Sequence, residues 1–131
     1  MARTYENVTF RVAAQSGQLA VVRLFLTMPG VDPSAMQNDA FREAAKEGHA
    51  DVVQLLLETI GRGIDPSALH NEALNMAAQN GHIDVVRLLL ATPGRGIDPT
   101  VFENLALRTA SERGHADIVH LLLASQNQAG R

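Results

Sequence analysis

At 131 residues the chain has room for one domain with a real core. With 46% hydrophobic and 19% charged residues it reads as globular, neither disordered nor membrane-spanning. The net charge of −3 leaves no basic footprint for nucleic acid or anionic lipid, and the absence of cysteine excludes disulfides, thiol nucleophiles, Fe–S clusters and thiolate zinc sites.

Taken in order, the chain is a repeat. Asp-Pro stands at Asp32-Pro33, Asp65-Pro66 and Asp98-Pro99, and Gly-His at Gly48-His49, Gly81-His82 and Gly114-His115, each 33 residues apart. Asn38, Asn71 and Asn104 keep the same period. Asn7 and Gly17 lie 31 residues before Asn38 and Gly48 and mark a degenerate first copy. Four units follow, at about 1–30, 31–63, 64–96 and 97–131, and together they are expected to form a single domain spanning 1–131.

Each unit predicts two short helices. In the second, Phe41, Ala44 and Ala45 mark the apolar stripe of the first helix, and Val52, Val53 and Leu56 that of the second. In the third, Asn71 is placed to cap a helix carrying Ala73, Leu74, Ala77 and Ala78, and Gly81 ends it with the left-handed residue a C-cap needs. Another helix starts near Ile83, with Asp84 in its first turn, and Pro93-Gly94 stops it. The fourth repeats the grammar with Leu107 and Ala110, then Ile118, Val119 and Leu122. Leu56 and Leu89, mid-helix, are expected in the core between units.

A pair this short cannot bury its apolar face alone, so the pairs must stack. The period, Ala-Ala-x-x-Gly-His and Asp-Val-Val-x-Leu-Leu-Leu resemble the ankyrin repeat over essentially the whole chain. The likeness is strongest in the two central units; unit 4 has Ala110-Ser111 for Ala-Ala and unit 1 has Gly17-Gln18 for Gly-His. In place of the family's Thr-Pro-Leu-His stand Asn38-Asp-Ala-Phe41, Asn71-Glu-Ala-Leu74 and Asn104-Leu-Ala-Leu107. The expected fold is all-α: an ankyrin-type solenoid of four helix-turn-helix repeats, right-handed and curved, with tight Asp-Pro turns in place of long β-hairpins and with Asn as the helix cap. The resemblance implies a binding scaffold with no chemistry of its own.

The residues themselves carry little chemistry. There is no Gly-x-Ser-x-Gly, no Walker loop and no His-Glu-x-x-His, so no catalytic residue, cofactor or metal ligand is assigned. Gly61-Arg-Gly63 and Gly94-Arg-Gly96 run into Ile-Asp-Pro without a helix start or a phosphate lysine, and read as linker insertions. The His49/Asp51, His82/Asp84 and His115/Asp117 pairs fall roughly 10 Å apart along a stack, too far to share an ion, and read as loop histidines with first-turn carboxylates. No apolar run reaches the roughly 18 residues of a membrane span, and Met1-Ala-Arg-Thr-Tyr-Glu6 is not a signal peptide. An intracellular protein away from membranes is expected.

The informative column is apolar. Tyr5, Met36, Leu69 and Phe102 each stand two residues before an Asn. Such a column either seals the core edge or forms an exposed stripe that a partner buries. An exposed stripe of four repeats would run roughly 30–40 Å at the ~10 Å spacing of packed helices, suited to an extended peptide or a helix. Arg42, Asn75 and Arg108 share one position on the first helices and would flank it, fixing register by hydrogen bonds to backbone or acidic groups. The function expected is protein or peptide binding through the concave face, with nucleic acid a poor fit. The rival is a structural or self-associating segment of a larger array, because unit 4 is apolar where a capping unit would be polar.

Overall fold

One unit's two helices meet at a glycine, and that junction sets the architecture. In unit 2 the amide of His49 donates to Ala44 O at 2.9 Å and that of Gly48 to Ala45 O at 3.1 Å. This is the paired closure of a Schellman ending. It requires a left-handed residue, and Gly48 supplies φ +81. The chain then re-enters a helix within two residues, so the second helix returns against the first.

The computed structural model describes residues 2–129, and side chains from 5 to 126. Eight helices follow in order: α1 Ala2–Gln15, α2 Leu19–Leu26, α3 Ala35–Lys46, α4 Ala50–Glu58, α5 Ala68–Gln79, α6 Ile83–Leu90, α7 Val101–Glu112 and α8 Ala116–Ala129. No strand occurs among the described residues. The first helices α1, α3, α5 and α7 pack in sequence as one layer, the second helices α2, α4, α6 and α8 as the other, and each pair closes on itself. The all-helical stack of four pairs expected from the sequence is what forms.

The core repeats as the sequence does. Phe10, Phe41 and Leu74 take one buried position, Val22, Val53 and Val86 another, and Leu56, Leu89 and Leu122 a third. Each buried Leu or Phe contributes about 1.5–3 kcal/mol. Ala44-Ala45 and Ala77-Ala78, wholly buried, keep the first-helix layer thin. Leu56 and Leu89 are buried between units as the periodicity predicts.

The Gly-Arg-Gly linkers correct the sequence reading. They are not free insertions. The Arg62 guanidinium donates to Leu26 O at 2.8 Å and Val31 O at 2.7 Å, and Arg95 to Leu57 O at 3.2 Å and Ile64 O at 3.0 Å. Each arginine thus takes up a carbonyl at the end of the preceding unit's second helix, which a helix C-terminus otherwise leaves unpaired, together with one at the start of its own unit. The histidines also reach back a unit. His49 Nε2 lies 2.9 Å from Gln15 O and His115 Nε2 3.1 Å from Gln79 O.

Candidate functional site

The site grows from the turn that opens each unit. Asp32 Oδ1 accepts the Ser34 amide at 3.0 Å and its hydroxyl at 2.6 Å, while Asp32 O accepts the Ala35 amide at 3.2 Å. Asp65 with Ser67 and Asp98 with Thr100 repeat the side-chain bonds. These are the tight Asp-Pro turns expected. In unit 4 the Thr100 hydroxyl, and then its amide, hold the Asp98 carboxyl below its ordinary 3.8.

The next three residues are left-handed. Met36, Gln37 and Asn38 have φ between 55 and 61, and residues 69–71 and 102–104 lie between 53 and 64. For L-residues this costs roughly 1–2 kcal/mol each, so other bonds must hold it. The Asn38 amide donates to Ser34 O at 3.0 Å and closes the turn. Arg42 Nε donates to Gln37 O at 2.9 Å and Nη2 to Met36 O at 3.1 Å. Arg108 does likewise to Glu103 O at 3.0 Å and Phe102 O at 2.8 Å. In unit 3 the only counterpart is Asn75 Nδ2, 3.5 Å from His70 O.

The asparagines overturn the capping expectation. Asn38 Oδ1 accepts the Asp65 amide at 2.9 Å, and Asn71 Oδ1 the Asp98 amide at 3.1 Å. Asn7 does the same for Asp32 at 2.8 Å. Each asparagine stitches its unit to the next instead of capping its own helix. Asn38 and Asn71 do so from left-handed backbone, a conformation that asparagine is among the few residues to adopt readily, and Asn7 does so from within α1. In unit 4, Gln126 Nε2 donates to Asn104 Oδ1 at 2.8 Å.

The same backbone sends the residue two before each asparagine outward. Met36 is 66% exposed, Leu69 39% and Phe102 56%, and Tyr5, on α1, is 80% exposed. The column is therefore surface and not core edge. His70, which the sequence reading passed over, meets Phe102 edge-on with ring centroids 5.5 Å apart. That contact joins the stripe across the junction of units 3 and 4. Its only signal in the sequence is a place beside Leu69.

The polar positions sit beneath the stripe. Arg42 pairs with Glu72 at 2.9 Å and Asp39 at 3.6 Å besides its two carbonyls, and Arg11 meets Asp39 at 3.5 Å. Asn75 is buried, and Arg108 is exposed with its donors on the turn. Arg42 and Arg108 hold the turn that presents the apolar side chains. Among the described residues no group of three or more His, Cys, Asp or Glu is placed to hold a metal ion, and no helix is long and apolar enough to cross a membrane.

The family model for ankyrin repeats, three copies long, matches residues 10–103 and again 43–131. The chain belongs to the ankyrin-repeat family. Ankyrin repeats are in general protein–protein interaction modules and typically carry no enzymatic activity. No curated protein matches the chain.

Proposed function

We propose that this ankyrin-repeat chain acts as one domain that binds a protein partner along the concave face, through the stripe Tyr5, Met36, Leu69 and Phe102. One observation carries the reading. Four large apolar side chains at one repeat position are all exposed, three of them on left-handed backbone, which Arg42 holds at Met36 and Arg108 at Phe102. Large exposed apolar side chains in a row mark interaction surfaces, and aromatic anchors tend to dominate them. The stripe fits an extended peptide or one helix, with Phe102 as the chief anchor.

The test is a partner recovered by pull-down and then titrated against purified protein. Leu69→Ser with Phe102→Ser should weaken its binding at least tenfold and leave the melting temperature nearly unchanged. Unchanged affinity, or loss of the fold, removes the stripe from the site.

A second reading has its own observation. Val8, Val12 and Leu24 are exposed on unit 1, although the leucines equivalent to Leu24, at 55, 88 and 121, are partly buried. Open space lies over Gly114, whereas histidines cover Gly17, Gly48 and Gly81. Self-association through these end faces would appear as mass rising with concentration in sedimentation equilibrium, and Leu24→Glu should abolish it.

A further inference from the structure

Units 2 and 4 each clasp their left-handed turn with their own guanidinium, and unit 3 does not. Arg42 and Arg108 bond the same two carbonyls, those five and six residues earlier, through Nε and Nη2. Asn75 holds that position in unit 3 and is too short to do so. Its Nδ2 reaches only His70 O, at 3.5 Å, and among the described residues no side-chain donor bonds Leu69 O. The Asn75 side chain is buried, the residue only 6% exposed, and its Oδ1 has no hydrogen-bond partner. A buried polar atom without a partner is uncommon in a folded protein and calls for an explanation. Reversing the amide would set Oδ1 against His70 O, two acceptors face to face.

We infer that unit 3 accepts a guanidinium from outside the chain, at the place Arg42 and Arg108 fill in their own units. The acceptors are Leu69 O and His70 O, and, once the buried side chain turns outward, the unpartnered Asn75 Oδ1, an acceptor that units 2 and 4 lack. A carboxylate is at hand as well. Glu72 lies three residues before Asn75, as Asp39 lies before Arg42, where the two side chains approach to 3.6 Å. Glu72 already bonds Arg42 through Oε1, and its Oε2 takes part in no hydrogen bond among the described residues. Phe102 stands edge-on to the His70 ring, an exposed aromatic neighbour of the kind on which a guanidinium stacks.

The fork geometry selects guanidinium over ammonium. Two neighbouring carbonyls are met in units 2 and 4 by two nitrogens of one rigid plane, which an ammonium on a flexible stem cannot reproduce. Only the attribution of this guanidinium to an arginine of the protein partner rests on the function proposed above. The site itself is tested without that partner.

The probe is N-acetyl-arginine methylamide, titrated into isotopically labelled protein and followed by amide NMR. Saturable shifts are expected at the Asn75 side-chain NH2 and at the His70 and Asn71 amides, with half-saturation at about 1–20 mM, the weak range of a single small contact. The lysine analogue, and the neutral citrulline analogue, should bind at least fivefold more weakly. Asn75→Arg fills the site from within; it should melt no lower than the parent and show no saturable response. Should that variant misfold, Asn75→Leu removes the acceptor and should lose the response too. No saturation at these groups, equal binding of the lysine analogue, or an unchanged response in both variants overturns the inference. A response that persists in a protein whose Leu69 and Phe102 prove irrelevant to partner binding would separate this site from the stripe.

Discussion

At the loop edge of the stack, a Cβ on Gly48 would stand 2.4 Å from the His82 ring, and one on Gly17 would stand 2.6 Å from His49. At the turn edge, the corresponding junction is made by Asn38 and Asn71, whose side chains accept amides of the following unit. Both edges are stitched between neighbours, yet they leave opposite surfaces. The loop edge is closed by contact, so its residues are confined to glycine and an imidazole. The turn edge is held by backbone amides and carbonyls, so the first left-handed side chain is left at least partly exposed. Met, Leu and Phe all occupy it. In this fold the edge secured through backbone groups is the edge free to carry specificity.

The largest effect should come from removing what both edges lean on. Leu89→Ala leaves a cavity between units and should cost about 2–5 kcal/mol in chemical denaturation, loosening loop and turn alike. A loss below 1 kcal/mol would show that the edges stand without the core.

Gly48→Ala and Gly114→Ala divide the loop edge into its parts. Both glycines are left-handed, at φ +81 and +77, but only Gly48 faces a histidine; Gly114 meets nothing within 4 Å. The expected cost is about 2–3 kcal/mol at Gly48 against about 1–2 at Gly114, the backbone penalty alone. Equal losses would mean that the imidazole yields freely.

Asn71→Ala tests the turn edge. It strips the acceptor from the Asp98 amide and puts a poorer left-handed residue in its place, for about 1–3 kcal/mol, with faster hydrogen exchange at Asp98. A faster exchange confined to Glu72–Leu74 would instead restore asparagine as a cap.

The smallest effect is electrostatic. Thr100 holds Asp98 below 3.8, so the folded carboxyl is more acidic than the unfolded one. The stabilisation is therefore complete above the unfolded value and is lost as pH falls through the folded one. Thr100→Val should lower the melting temperature slightly at pH 7, and the gap to the parent should close as pH is taken below 3.8.

The helices and their buried faces were readable from local spacing, because Leu56, Leu89 and the alanine pairs follow the helical period. The position of the apolar column was readable too, since four large side chains recur at one place. The left-handed turn was not. Met36, Leu69 and Phe102 are residues that avoid positive φ, and only the following asparagines hint at it. The same asparagines looked like caps because their real partner, the aspartate amide of the next unit, lies 25 to 27 residues away. The linker arginines were misread for the same reason, as their carbonyls lie 31 to 38 residues back. Asn75 differs from Arg42 by a few atoms in the sequence, and only the geometry of the turn gives that difference a meaning.

The reach of those stitches has a mechanical consequence. Among the described residues none spans more than 38 residues, so no described bond ties the first unit directly to the last. Tension applied between the two ends of the chain is carried through each junction in series, and a junction that gives way releases only its own unit. A unit of 33 residues drawn out at about 3.3–3.6 Å per residue lengthens the chain by roughly 100 Å. A pulling experiment should record steps of that length, the terminal units yielding first, so that the stack behaves as a short molecular spring with a built-in force limit at each joint.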